Sequence, residues 1–303
     1  MKKYNVVIIG AGQVAAWYDS PESKVIHSHA HAVIKNPALN LLGFYDIDSN
    51  RAMESAKKWG VQAFNYIPAA DIFVICTPDE FHKESVQQVV GFSPKMIVLE
   101  KPIARKFTDV ERILELTKGI PVQVNFSRRF VPEFQKLSLE LKECGEYLTG
   151  SGLYGKGFIH NGSHMIDLLR QFVGEIASFK FLDEINDFYT DDTTKTAILN
   201  FTNGGMFFVQ GVDCRLYTVF EMDLCFEQAR VQIIEGGDII KIYKPESSKK
   251  YIGYEMLSIK SEVYTKRDMA MVHLYENVYE YLSCGTALLS PLEGAIEKGM
   301  YNT

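Results

Sequence analysis

The stretch that most restricts the fold lies near the start of the chain, where the β-branched run Tyr4-Asn5-Val6-Val7-Ile8-Ile9 breaks into Gly10-Ala11-Gly12-Gln13-Val14-Ala15. A strand that feeds a G-x-G-x-x-A turn and then a helix is the setting in which glycines let the backbone approach a pyrophosphate. The helix N-terminus then offers its N–H groups to the same anion. The pattern predicts a dinucleotide site with Gly10, Gly12, Gln13 and Val14 against the phosphates; its plain alternative is an ordinary glycine turn.

A second strand, Leu41 to Tyr45, ends in Asp46. A carboxylate there accepts hydrogen bonds from the adenosine ribose hydroxyls and repels a 2′-phosphate, which favours NAD, while Ser49 and Arg51 leave room for NADP. From Gly10 to Asp46 is 36 positions, more than the roughly 20 to 30 that a compact βαβ unit needs. The excess points to an insertion, and Trp17 to Lys24 has loop composition. His27, His29 and His31 follow it. On a helix only His27 and His31 would share a face, and no carboxylate or cysteine beside them completes a ligand set, so no metal is expected. Helix-entry histidines near the mouth of a cofactor or substrate site are the better reading.

Strands and helices then alternate. Asn50 to Trp59 has helical spacing with Gly60 as its stop. Asp71 to Cys76 is a buried strand that ends in Thr77-Pro78-Asp79-Glu80-Phe81-His82. Lys95 to Leu99 is another, ending in Glu100-Lys101-Pro102, because Pro102 lacks the N–H a central strand needs. A helix is expected from Thr108 to Lys118, with Thr108-x-x-Glu111 as a capping box, then a strand from Pro121 to Asn125. Such alternation predicts a doubly wound parallel sheet over residues 1–125. The strand-end groups Thr77, Pro78, Glu100 and Lys101 should border the crevice where open sheets bind ligands.

Beyond Asn125 the pattern changes. Helices are expected at Phe134 to Cys144 and at His164 to Val173, the latter stopped by Gly174, with a strand at Tyr147 to Tyr154 between them. Six strands follow, at Ser178–Leu182, Thr196–Phe201, Met206–Val212, Val219–Phe226, Arg230–Ile234 and Ile239–Tyr243. Hairpin turns are expected at Asn203-Gly204-Gly205 and Gly236-Gly237-Asp238, and a closing helix from Asp268 to about Ser283. Residues 126–303 should therefore form an α+β domain on a mostly antiparallel open sheet, giving an α/β protein of two domains.

The 303 residues suffice for two cores. A net charge of −6 with no basic run argues against nucleic-acid binding. Five cysteines without a Cys-x-x-Cys pair suit a reducing, cytoplasmic setting. Lys2-Lys3 before Val6–Ile9 mimics the start of a signal peptide, but the glycines and Asp19 interrupt it, and no apolar stretch reaches the length of a membrane span.

Reactive groups concentrate at Gly155-Lys156-Gly157-Phe158-Ile159-His160-Asn161-Gly162-Ser163-His164-Met165-Ile166-Asp167. An imidazole titrates near neutral pH and can take a hydroxyl proton while a hydride leaves the same carbon. Asp167, three residues on, could fix the tautomer of His164. The spacing of His160 and His164 also suits zinc, but no third ligand is in view.

Taken together, Gly10-x-Gly12-x-x-Ala15, Asp46-Ile47-Asp48, Cys76-Thr77-Pro78-x-x-x-His82, Glu100-Lys101-Pro102 and Gly162-Ser163-His164-Met165-Ile166-Asp167-Leu168-Leu169 resemble the glucose–fructose oxidoreductase, inositol dehydrogenase and rhizopine catabolism family (Gfo/Idh/MocA). The resemblance covers roughly residues 4 to 175. It implies an N-terminal Rossmann domain and a C-terminal α/β domain whose open sheet commonly forms subunit interfaces, hence a homo-oligomer, dimer or tetramer. It also implies NAD(P)-dependent hydride transfer at a hydroxyl carbon of a sugar, nucleotide-sugar or cyclitol. Lys101 matches the active-site lysine and His164 the catalytic histidine, while His82, Glu100 and Asn125 join the cofactor side. Two departures stand out. His160 occupies the place of an aspartate found in many dehydrogenases of the family, so the acid-base relay is expected to be altered: His160 either supports catalysis or marks its loss, with His160 or the neighbouring Asn161 then a substrate contact. The extra loop from about Trp17 to Ser28 precedes His29, which aligns with a family histidine. The altered position also leaves open a cofactor-binding sensor that has lost the chemistry, or an NAD-dependent glycosidase.

Overall fold

Six short apolar runs build the first sheet of the computed structural model, which describes residues 3–301. They are β1 (Tyr4–Ile9), β2 (Leu39–Tyr45), β3 (Gln62–Phe64), β4 (Ile72–Ile75), β5 (Met96–Leu99) and β6 (Val122–Val124). All neighbours pair in parallel, in the order β3-β2-β1-β4-β5-β6. Every residue of β4 and β5 is buried, as expected of central parallel strands covered on both faces, whose sequence reads as an unbroken apolar run. The order reverses between β1 and β4, which puts a topological switch point at their carboxyl ends.

The crossover from β1 to β2 is split. A single wide helical turn, Gln13–Trp17, follows the glycines, and α1 (His29–Lys35) resumes only after the insertion. Asp19 ties the two together. One carboxylate oxygen accepts the backbone N–H groups of His27 (2.6 Å) and Ser28 (3.1 Å) and lies 3.0 Å from His31 Nδ1, while the other accepts the Ser28 hydroxyl. Ser28 in turn caps α1 through the His31 N–H. His31 is buried, whereas His27 precedes the helix and is exposed, so the two do not share a helical face as the spacing suggested.

Further helices are α2 (Ser49–Trp59), α3 (His82–Val90) and α4 (Phe107–Leu116). α2 is capped by Asp48, whose carboxylate accepts the N–H groups of Asn50 and Arg51, and it ends at Gly60 in the left-handed conformation, as expected. The capping box at Thr108 does not form. α4 starts at Phe107 with Lys106 at the cap and no side-chain cap bond, so Thr108 is already inside the helix.

The chain divides into two compact units, one running to Phe130 and including Asp268–Ile296, the other comprising Val131–Arg267 and the residues from Glu297 onward. In the first, Gln123 of β6 bridges Pro291 and the Val124 N–H donates to Ser290 O (2.8 Å), so the returning segment covers the sheet edge.

In the second unit, α5 (Pro132–Leu141), β7 (Tyr147–Tyr154) and α6 (Ser163–Phe172) precede seven further strands. These are β8 (Ile176–Ile185), β9 (Thr194–Phe201), β10 (Met206–Gly211), β11 (Phe220–Phe226), β12 (Ala229–Ile234), β13 (Ile239–Ser247) and β14 (Glu255–Tyr264). With β7 they form an eight-stranded sheet in the order β14-β13-β12-β11-β7-β10-β9-β8, antiparallel except for β7 with β10. Burial alternates strictly along β11 and β12, the mark of a sheet with one covered face. Helix α6 packs directly on β7, since a Cβ on Gly152 would fall 2.9 Å from Met165 Sδ. The closing helix, α7 (Ala270–Cys284), lies in the first unit. Among the described residues no helix is long and apolar enough to cross a membrane; Lys2 lies outside them.

Candidate cofactor site and proton-transfer residues

A cavity of about 560 Å³ opens at the switch point of the first unit, lined by Gly10, Gly12, Gln13 and Val14 from the glycine turn, by Asp46, Ile47 and Arg51 after β2, and by Thr77, Pro78 and Phe81 after β4. The two glycines do different work. Gly10 has φ +87°, and a Cβ there would sit 2.7 Å from both Cys76 C and Thr77 N, so only glycine lets the turn close against the end of β4. Gly12 has ordinary extended backbone, and a Cβ there would meet no protein atom within 4 Å. It faces the cavity itself.

Asp46 is held by the loop it would serve. Its Oδ2 accepts the Ala11 N–H (2.8 Å) and its Oδ1 accepts the Asp48 N–H (2.9 Å). A carboxylate has about four acceptor positions, so roughly two remain for ribose hydroxyls. Arg51 reaches to 3.8 Å from Asp46 Oδ2 and is half-exposed. Ile47, Phe81 and Tyr18 also line the cavity, and sequence reasoning did not single them out for it. The only available signal was the position of Ile47 directly after Asp46; it is 97% exposed, an unusual state for isoleucine.

Three of the expected cofactor residues do not line this cavity. His82 is buried, with Nδ1 3.2 Å from Ile103 O and Nε2 3.0 Å from Thr77 O. Burial lowers its pKa, so near neutral pH the ring is uncharged and its single N–H serves one of the two carbonyls at a time. Its placement holds the turn together. Glu100 and Asn125 belong to a buried polar cluster. Glu100 Oε1 lies 2.7 Å from His29 Nε2 and accepts the Asn125 amide, while His29 Nδ1 lies 2.7 Å from the hydroxyl of Tyr275 on α7. Burial works to raise the Glu100 carboxyl, but the hydrogen bonds from His29 and Asn125, with the charge of Lys101, hold it below the usual carboxylate range. Burial also pushes the Tyr275 hydroxyl well up. The tyrosine therefore stays protonated and donates to His29, which donates to the Glu100 carboxylate. Asn125 keeps one buried acceptor, Oδ1, without a hydrogen bond. Lys101 lies two residues beyond the end of β5, after Glu100, and is half-buried, before the cis peptide bond to Pro102.

In the second unit the wide turn Phe158–Gly162 leads into α6. His164 and Asp167 sit three residues apart on α6, both buried. His160 is gripped by a residue that sequence reasoning missed: Asp192, whose Oδ2 lies 2.6 Å from His160 Nδ1. No local signal marks Asp192, because it lies 32 residues away in a loop rich in acidic side chains. Among the described residues no group of three or more His, Cys, Asp or Glu is placed to hold a metal.

The crossing order of the first sheet and the cavity at its switch point define a dinucleotide-binding Rossmann fold. Residues 4–126 match the family described as an oxidoreductase family with an NAD-binding Rossmann fold (Gfo/Idh/MocA). Inositol 2-dehydrogenase of Corynebacterium glutamicum is 30% identical over 166 residues, 50% of this chain and 46% of the relative. The chain thus spans about half the length of that relative. Over nearly the whole chain the fold is that of UDP-N-acetylglucosamine 3-dehydrogenase GnnA from Acidithiobacillus ferrooxidans, with a TM-score of 0.78, 14% identity, and 97% and 94% of the two chains covered. The WlbA dehydrogenase from Bordetella pertussis, solved in complex with NADH and UDP-GlcNAcA, has a TM-score of 0.76 at 15% identity, covering 97% and 92%.

Proposed function

We propose that the protein is an NAD-dependent oxidoreductase that moves a hydride between nicotinamide and a hydroxyl carbon of a sugar, nucleotide-sugar or cyclitol. The observation that carries this reading is the switch-point cavity, where Gly12 presents bare backbone to open space and Asp46 keeps acceptor positions to spare. These features fit a dinucleotide: Gly12 and its neighbours for the pyrophosphate, and Asp46 for the ribose. When bound, the nicotinamide supplies the hydride acceptor or donor. Lys101 binds the reacting hydroxyl and favours the developing alkoxide by its charge. His164 is assigned with Lys101 to the reacting hydroxyl, and His160 to the proton that the hydroxyl exchanges.

Asp46 favours NAD, and Arg51 beside it gives NADP a foothold. The relatives direct the choice of substrates to try, since their names speak of inositol and UDP-N-acetylglucosamine. Half-exposed Leu148, Leu182, Met206, Met256 and Leu257 on the strands of the second unit support a homo-oligomer. The test is NAD(H) turnover with myo-inositol and UDP-N-acetylglucosamine, using wild type and Lys101→Met. Turnover lost in the variant with NAD affinity retained supports the assignment, and equal turnover rejects it. A bound nicotinamide that no sugar oxidises or reduces would favour the sensor reading; glycoside cleavage without net NADH would favour the glycosidase.

A further inference from the structure

We propose that Asp192 is a positioning residue that supplies, through His160, the carboxylate missing from position 160, by fixing the imidazole with Nδ1–H on the carboxylate and Nε2 as the proton-accepting nitrogen. The proposal rests on the oxidoreductase reading above and adds to it a residue from a separate loop.

The carboxylate of Asp192 is 8% exposed and is wrapped by the turn that carries His160. Its Oδ1 accepts the Ile159 N–H (3.0 Å), and its Oδ2 accepts the His160 N–H (2.8 Å) and meets His160 Nδ1 at 2.6 Å. Approach this close requires Gly157, where φ is +82° and a Cβ would land 2.2 Å from Asp192 Oδ2. Tyr189, from the same loop, stacks on the His160 ring with centroids 3.9 Å apart and planes 13° from parallel. Both rotational freedoms of the imidazole are therefore restricted, one by the hydrogen bond and one by the stack.

The loop is itself anchored on both sides. Asp187 accepts the backbone N–H groups of Lys156 (2.8 Å) and Cys214 (3.3 Å) and the Thr194 hydroxyl (2.8 Å). Thr194 Oγ1 accepts the Gly157 N–H (2.8 Å), and the Phe158 N–H donates to Thr193 O (3.0 Å). So many contacts between residues 155–160 and 187–194 exceed what a surface ion pair needs. They resemble the arrangement in which a buried carboxylate holds a catalytic imidazole in one tautomer and steadies its charged form.

The chemistry follows. A carboxylate can only accept, so the Nδ1 position carries the proton and the lone pair lies at Nε2. Bound oxidised nicotinamide would supply the hydride acceptor for the substrate's hydroxyl carbon, and the role of His160 would be to take the hydroxyl proton at Nε2. Asp192 keeps its hydrogen bond to Nδ1 and so steadies the ring that has taken the proton. In the reverse direction the same proton returns from Nε2.

The experiment combines imidazole nitrogen NMR on the full chain with kinetics. In the wild type the His160 signals should show the Nδ1–H tautomer; the Nε2–H tautomer would overturn the proposal without any variant. Asp192→Asn should shift that tautomer and lower kcat by about 10²- to 10⁴-fold, with KM within about threefold and NAD affinity unchanged. The double variant with His160→Gln should be no slower than His160→Gln alone, since a residue that acts through His160 has nothing left to act on. Multiplying losses, or an unchanged kcat in Asp192→Asn, would overturn it. If no sugar is turned over by the wild type, the oxidoreductase reading fails separately, and the tautomer measurement still decides the role of Asp192.

Discussion

Replacing Gly12 by alanine separates a cofactor role from a folding role more cleanly than any other single change. At Gly12 the backbone is extended and an added Cβ touches no protein atom within 4 Å. The fold should then be unaffected to within about 0.5 kcal/mol. Gly10→Ala is the contrasting case. A left-handed residue costs about 1–2 kcal/mol, and a Cβ 2.7 Å from two backbone atoms adds about 1–3 kcal/mol of overpacking. The sum, about 2–5 kcal/mol, would weaken fold and binding together. For Gly12→Ala the methyl instead enters the cavity where the pyrophosphate would meet the backbone. Losing one to two charge-assisted hydrogen bonds, at about 1.5 kcal/mol or more each, corresponds to about 10- to 100-fold in Kd. Calorimetric titration with NAD, alongside thermal melting of the ligand-free protein, reads both quantities. A Kd within about twofold of wild type at an unchanged melting temperature would refute the placement of the pyrophosphate at Gly12.

Asp46→Ser removes the charge that disfavours a 2′-phosphate while leaving Arg51 in place, so the ratio of NADP to NAD affinity should rise by about tenfold or more, measured by titration with each. Tyr275→Phe takes the donor from a buried ring nitrogen of His29 and should cost about 1–3 kcal/mol in urea denaturation; unchanged stability would mean the bond contributes nothing. For Asp19, burial raises the carboxyl but the hydrogen bonds from Ser28, His27 and His31 outweigh it, leaving the pKa lowered. A carboxyl whose folded pKa is depressed contributes stability above the ordinary carboxylate range and loses it as pH falls through that range toward the depressed value. Wild type should therefore melt above Asp19→Asn near neutral pH, and the gap should narrow on acidification; a gap that widens in acid would contradict the sign.

Local signals sufficed where one short stretch carries both the apolar run and its stop. β1 runs from Tyr4 to Ile9 and gives way to Gly10, β7 spans Tyr147–Tyr154 as read, and Gly60 ends α2. Buried parallel strands need unbroken apolar residues and their ends need glycine or proline, so the doubly wound sheet and the position of its glycine turn were legible from the chain alone. β3 and β14 were not, the first for being three residues long and the second because an edge strand leaves its residues half in water and blurs the alternation. Periodicity says which face of α7 is buried but not against what. Only the tertiary structure brings Tyr275 to His29, 246 residues away, and Asp192 to His160 across 32. Apolar burial is non-directional and leaves its mark in each stretch of sequence, whereas a buried hydrogen bond needs two particular atoms within about 3 Å. Which atoms those are is decided when distant segments pack.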